Sequence, residues 1–268
     1  MLSFAHRGGS VLRPENTLLA FDHGLLVGAD GLEFDVRLSR YGVVVVHHDE
    51  TVDRTTNGTG PVADYSADAL ARLDAAFLFR GIDNERFMGR GHGVPRLTQV
   101  LARYPGIPLI IELKGRDPEL GRRAVADVRA AGALHRVWFG GFSRVVLRAV
   151  RQAVPEAKTS AAREEVRWFL YRSWMRLAPL NTAYQAFQVP ELAGRVRVVS
   201  PKFVEAARRA KLSVQVWTID RPSDMERLLG WGVDGLISDR PDLAAQVIRR
   251  WRIRLAASDA RVAATAPE

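Results

Sequence analysis

The sequence has 268 residues, 47% hydrophobic and 26% charged, with no cysteine and a formal net charge of +9. That length suits one large domain with a real core. The missing cysteines exclude disulfides, iron–sulfur clusters and thiolate zinc sites and fit a reducing, cytoplasmic setting.

The positive charge favours anionic partners, with a merely solvated basic surface as the plain alternative. Met1-Leu2-Ser3-Phe4 shows no secretory-signal pattern, and no apolar run reaches bilayer-spanning length.

Short apolar runs alternate with longer helical patterns, which predicts βα units around a mostly parallel sheet. The first strand is Ser3–Arg7, and a helix bearing Leu18, Leu19, Phe21, Leu25 and Leu26 follows it and breaks at Gly28. The second strand is Gly31–Leu38. A turn at Tyr41-Gly42 then returns the chain through Val43–His48 as a neighbouring strand. Residues 54–97 open on turn chemistry and end in Gly89-Arg90-Gly91-His92-Gly93, which predicts a small insertion capping one end of the domain.

Further strands are expected at Pro108–Lys114, Arg136–Phe142, Ala157–Ala161, Tyr184–Val189, Ser213–Ile219 and Gly235–Ser238. With the first two they make eight, the number of an α/β, TIM-type (β/α)8 barrel. Val43–His48 and Val196–Ser200 are additions outside the ring. The barrel is expected over residues 1–250, and the basic, then Ala-rich stretch 251–268 as a helical tail.

Glu33 and Asp35 stand two apart in a strand and share a face, while Leu32, Phe34 and Val36 take the other. Adjacent carboxylates in a barrel mouth need a cation or a proton. Glu112 stands in the apolar run Leu109-Ile110-Ile111-Glu112-Leu113, where an unpaired carboxylate is costly. Converging, the three would offer an oxygen-rich site for Mg²⁺ or Ca²⁺. Separate salt bridges to arginines are the alternative.

His6 ends the first strand and His48 ends the valine run, at positions suited to general acid and base work. His47 and His48 face opposite ways, and spacing does not choose between them. His23, His92 and His135 are read as structural.

These residues together resemble the glycerophosphodiester phosphodiesterase family. Ala5-His6-Arg7-Gly8-Gly9 with Pro14-Glu15-Asn16-Thr17 is similar to its first signature, and Gly28 to Val36 to its second. Val46 to Thr51, followed by Arg54 to Gly58, is similar to the third. Ile111 to Lys114, Val216-Trp217-Thr218 and Gly232 to Pro241 complete the order across nearly the whole chain.

The resemblance implies a metal-dependent barrel phosphodiesterase with an insertion. Glu33, Asp35 and Glu112 would hold the cation, and His6 and His48 would be the acid–base pair. It implies phosphate contacts for Arg7 and Lys114 and a pocket-lining role for Trp217. Lys114 shares a strand face with Glu112. Arg7 turns inward only if the strand ends at His6, and an outward salt bridge is its alternative. Asn16 is assigned to the mouth of the first helix. Tyr41-Gly42 departs from the family's usual Asp-Gly turn and touches no site residue.

The expected reaction yields glycerol 3-phosphate and an alcohol. Arg163–Pro179 interleaves arginines with Trp168, Phe169, Leu170, Tyr171, Trp174 and Met175. Such a helix can lie at an anionic membrane surface, which would admit lysophospholipids, or it can be an ordinary outer helix. A catalytically silent phosphate-binding barrel is countered by the intact acid–base set. Nucleic acid is not expected as a partner, because no nucleic-acid module is present. A sugar-isomerase-like metal barrel leaves Arg7 and Lys114 without a role.

Overall fold

In the computed structural model, residues 1–82, 85–175 and 182–265 are described. The chain opens with β1 (Leu2–His6), α1 (Leu18–Leu26), β2 (Gly31–Leu38) and β3 (Val44–Val46). The segment predicted as an insertion carries α2 (Ala67–Arg72), and α3 (Leu97–Arg103) returns the chain to β4 (Leu109–Leu113). Strands and helices then alternate through α4 (Pro118–Ala130), β5 (Val137–Gly140), α5 (Arg144–Ala153), β6 (Lys158–Thr159) and α6 (Arg163–Trp174). After β7 (Ala186–Pro190) comes a short hairpin, β8 (Leu192–Ala193) and β9 (Val196–Arg197). The last elements are α7 (Pro201–Arg209), β10 (Ser213–Trp217), α8 (Pro222–Gly230), β11 (Gly235–Ser238) and α9 (Pro241–Thr265).

The strand order is β6-β5-β4-β2-β1-β11-β10-β7, parallel throughout. A parallel bridge from Ser160 to Ala186 brings β6 against β7 and nearly closes the ring. This is the expected TIM-type barrel, and its eight strands are the eight predicted ones. β3 lies outside the ring, antiparallel to β2, as the Tyr41-Gly42 turn predicted. The expected Val196–Ser200 strand is shorter. Val196 and Arg197 pair only with Leu192 and Ala193, and Ser200 instead caps α7, accepting from the Phe203 N–H. β6 is also shorter than predicted, because Ala161 and Ala162 lead into α6.

Period-two patterning separates the two faces of the ring. Leu32, Phe34 and Val36 face outward and pack with Phe21, Leu97 and Val125 from α1, α3 and α4. A second outer cluster gathers Phe169, Phe187, Phe203, Met225 and Ile248 under α6 to α9. Inside the ring, Phe4, Ile110 and Ile237 form a buried apolar floor, with Trp138 and Trp217 packed on it. Fully burying one such side chain contributes about 2 kcal/mol. Gly31 makes room for this floor, since a Cβ there would stand 2.7 Å from the Phe4 ring.

Helix starts follow sequence signals. The Ala20 N–H donates to Thr17 Oγ1 at α1, and Asp117 and Ser200 cap α4 and α7, each followed by proline at the first helical position. Segment 54–97 builds a small satellite core of Val62, Ala67, Leu70, Ala75 and Val94 against Val45 and Val52. α9 runs unbroken past residue 250, and Arg252 donates to the Met1 carbonyl and to Asp30. No helix among the described residues is long and apolar enough to cross a membrane.

Candidate active site

Parallel strands put their C-terminal ends, and the residues they carry, at one mouth. Register then sets the neighbours. His6 pairs with Glu33 across β1 and β2, and Asp35 pairs with Glu112 across β2 and β4. Both acids of β2 therefore meet the acid of β4, and one carboxylate oxygen from each of Glu33, Asp35 and Glu112 lies within 4.8 Å of the others.

Asp35 is the deepest of the three and is fully buried. Lys114 Nζ stands 3.0 Å from its Oδ1 and Arg7 Nε 3.1 Å from its Oδ2. Asn16 Nδ2 donates to Oδ2 at 2.9 Å, and the Asp35 N–H donates back to Asn16 Oδ1. Asn16 thus grips Asp35, while the helix-mouth task expected of it falls to Thr17. Burial would raise the Asp35 carboxyl, but Lys114 and Arg7 outweigh it, with His48 and Asn16 assisting, and hold it near about 2.

Arg7 reaches inward because β1 stops at His6. Its φ of 51° is in the left-handed region, and this reverses the side chain's direction. Gly8 follows at φ 87°, where a Cβ would also stand 2.6 Å from that of Ala20. Arg7 Nη1 donates to Glu15 at 2.9 Å, and Glu15 in turn receives two hydrogen bonds from Arg54 of the insertion.

Glu33 is in a different condition. Burial pushes its carboxyl up to about 8; His6 opposes this, and the Asp35 and Glu112 carboxylates add to it. The three carboxylates stand together against Arg7, Lys114 and His6. The all-oxygen donor set suits a hard divalent ion such as Mg²⁺ or Ca²⁺, so the residues fit that group. Lys114 bridges Glu112 and Asp35, and burial, which would lower its ammonium, is outweighed by the two carboxylates.

The two adjacent histidines face different surroundings. His47 is buried with Nε2 against the Thr51 carbonyl, and burial lowers its pKa. His48 faces the mouth, its carbonyl held by Arg37 Nε at 2.9 Å. Both mouth histidines are anchored alike, His6 Nδ1 2.6 Å from Asp239 Oδ1 and His48 Nδ1 2.6 Å from Asp49 Oδ1. His6 Nε2 stands 3.8 Å from Glu33 Oε2, and both rings line the same cavity. Burial would lower the His6 imidazole, but Glu33 and the Asp239 contact raise it to about 9.

Sequence reading missed the anchors Asp239 and Asp49, although both lay inside quoted motifs. Ser10 Oγ donates to Asp239, and the Asp239 N–H donates to Asp220. Arg54 holds Asp49.

His6, Arg7, Glu33, His48, Glu112, Lys114 and Trp217 all line one cavity of about 750 Å³. Trp217 stands edge-to-face with Phe142 at 6.0 Å. Of the expected site residues, Asp35 alone lies beneath the cavity surface rather than on it.

The barrel gathers two histidines, Arg7, Lys114 and three carboxylates at one mouth, the layout of a TIM-barrel enzyme. The profile of the Glycerophosphoryl diester phosphodiesterase family matches residues 6–243. A glycerophosphodiester phosphodiesterase of Caldanaerobacter subterraneus subsp. tengcongensis is 32% identical over 254 residues, 93% of this chain and 98% of that one. A glycerophosphodiester phosphodiesterase of Bacillus subtilis is 30% identical, covering 92% of this chain and 86% of its own. The crystal structure of a glycerophosphodiester phosphodiesterase from Agrobacterium tumefaciens superposes with a TM-score of 0.74 at 32% identity, over 91% of this chain and 99% of that one. The chain belongs to the glycerophosphoryl diester phosphodiesterase family.

Proposed function

We propose that this chain hydrolyses glycerophosphodiesters to glycerol 3-phosphate and an alcohol, with His6 and His48 sharing the proton transfers. The observation that carries this reading is the meeting of both anchored histidines, Arg7, Lys114 and the carboxylates in one cavity.

Arg7 and Lys114 neutralise the phosphodiester and orient it, a task suited to a guanidinium fork and an ammonium. One histidine Nε2 takes the proton of the attacking hydroxyl as its oxygen bonds to phosphorus. The other donates a proton to the departing alkoxide as the phosphorus–oxygen bond to the alcohol breaks. The net reaction consumes one water. Asp239 and Asp49 keep each ring in the orientation that presents Nε2. Trp217 forms part of the pocket wall.

Glu33, Asp35 and Glu112 would hold the divalent cation. When bound, it supplies charge neutralisation at the phosphate and a lowered pKa for the nucleophile.

The test is turnover of glycerophosphocholine with Mg²⁺ or Ca²⁺, with and without chelator, in wild type, His6→Ala and His48→Ala. Loss of activity in both variants with retained folding is expected. Near-normal rates in both would remove the histidine assignment, and chelator-insensitive turnover would remove the cation.

A further inference from the structure

A single guanidinium joins two parts of the mouth that the chain builds separately. Arg54 donates through Nη1 and Nη2 to Glu15 Oε2 and Oε1, each at 2.8 Å, and through Nε to Asp49 Oδ2. Glu15 is the carboxylate that receives Arg7 Nη1 at 2.9 Å. Asp49 is the carboxylate that anchors His48 Nδ1 at 2.6 Å. Acidic and basic groups therefore alternate without a gap from the deepest acid to the cleft: Asp35, Arg7, Glu15, Arg54, Asp49 and His48.

This task needs arginine. A planar guanidinium carries five N–H donors in a fixed fork, so it can hold two carboxylates at a set angle, whereas an ammonium is a point charge on a flexible stem.

The backbone under Arg54 is itself tied down. Val52 is fully buried, and its N–H donates to the Gly60 carbonyl. The Thr56 N–H and Oγ1 both donate to the Val52 carbonyl, at 3.1 and 2.8 Å. Asn57 Oδ1 accepts from the Asp74 N–H at 2.8 Å, which links this turn to the rest of segment 54–97.

An exposed ion pair generally adds little to stability and has no reason to affect turnover. Arg54 differs in its partners. Its side chain is 49% exposed, but those of Glu15 and Asp49 are 15% and 28% exposed, and each of them holds a group that lines the cavity. The most accessible member of the row thus controls two enclosed ones.

We propose that Arg54 is a positioning residue for the reaction, setting the places of Arg7 and His48 together through Glu15 and Asp49. The insertion then serves catalysis without touching substrate, since it fixes the phosphate-facing guanidinium relative to one proton-transfer ring. This rests on the phosphodiesterase reading above and extends it to a residue outside the cavity.

The test measures kcat and KM for glycerophosphocholine, using the full chain with Mg²⁺ or Ca²⁺ and thermal melting as the folding control. Arg54→Ala should lower kcat/KM by about a hundredfold, the scale of misplacing reacting groups by about 1 Å. Arg54→Lys keeps the charge without the fork and should recover less than about tenfold of that loss. The two arms separate in combination. Added to Asp49→Asn, Arg54→Ala should still raise KM through Glu15 and Arg7, with less than about twofold further change in kcat. Added to Glu15→Gln, it should still lower kcat through Asp49 and His48, with less than about twofold further change in KM.

Wild-type kinetics in Arg54→Ala would reduce it to a surface ion pair and overturn the proposal. Undiminished losses of both parameters in both backgrounds would mean that it acts by another route, and overturn it equally. So would a fall in rate that follows the folded fraction while KM stays constant throughout. A wild type that turns over no glycerophosphodiester removes the hydrolase reading itself.

Discussion

His6 and Asp239 are 233 residues apart in sequence and 2.6 Å apart in space, joined through Nδ1 and Oδ1. The contact fixes which ring nitrogen faces the cleft and favours the charged imidazole. Asp239→Asn should therefore lower kcat by about a hundredfold or more, the scale of misplacing one proton-transfer group. It should also move the limb of the pH–rate profile governed by His6 to lower pH, since a carboxylate that raises its pKa is gone. A slower enzyme with an unmoved profile would make Asp239 a packing residue only. Asp239→Glu should recover part of the rate.

The three carboxylates should report a cation without any activity measurement. Saturating Mg²⁺ or Ca²⁺ at about a hundred times its dissociation constant should stabilise the wild type by about 2.7 kcal/mol. Glu33→Gln and Glu112→Gln should lose most of that increment in thermal melts. Equal cation-induced shifts in wild type and both variants would place the ion elsewhere.

Asp35→Asn should be the most destabilising of the acid substitutions. It removes one of the two acidic partners of each of two half-buried cations, Arg7 and Lys114, at a position with no solvent access. Breaking such a pair on one side costs about 3–5 kcal/mol. Urea unfolding measures this directly, and a loss below about 1 kcal/mol would mean that the two cations find other partners.

Acid should weaken the mouth from the insertion side. Burial would raise the Glu15 carboxyl, but Arg54 and Arg7 outweigh it and its pKa is lowered on folding. Asp49, where burial is likewise outweighed by the Arg54 and His48 contacts, is held at about 2. Both groups bind protons more readily when unfolded. Their contribution is fully present above the unfolded carboxylate range and is lost as pH falls through the folded values. The melting temperature should drop between about pH 5 and about pH 2. Glu15→Gln should lower it at pH 7 and flatten the acid slope, and an unchanged slope would place the acid-sensitive groups elsewhere.

The barrel was readable because β2 and β4 combine apolar outward faces with acids at even spacing. That pattern survives without tertiary context, and it placed Glu33 with Asp35 and Glu112 with Lys114. The choice of His48 over His47 came from motif resemblance. Its physical basis is that β3 pairs with β2 and the His47 N–H continues that pairing to the Asp35 carbonyl. Asp239 could not be found by periodicity, since it lies beyond the end of β11 and meets His6 only once the ring closes. The inward turn of Arg7 depends on a single left-handed residue, which no propensity marks in an arginine. Of the short hairpin, β9 falls inside the expected Val196–Ser200 strand, whereas the two residues of β8 carry no alternation to read.

The joint between β6 and β7 has a mechanical meaning. Among the described residues, the backbone hydrogen bonds Gln185 N to Thr159 O and Ala161 N to Ala186 O tie these strands, whereas β2 and β4 are paired along five residues. Arg151 reinforces the joint from α5, clasping Thr159 Oγ1, the Ser160 carbonyl and Glu165. Ala161 and Val189, on either side of it, line the cavity. The ring is thus tied more sparsely here, beside the cavity, than between β2 and β4. A bulky guest pressing outward there would deform a side-chain clasp before it disturbed the ladder that holds Glu33, Asp35 and Glu112, so the pocket can yield while the reacting groups keep their spacing.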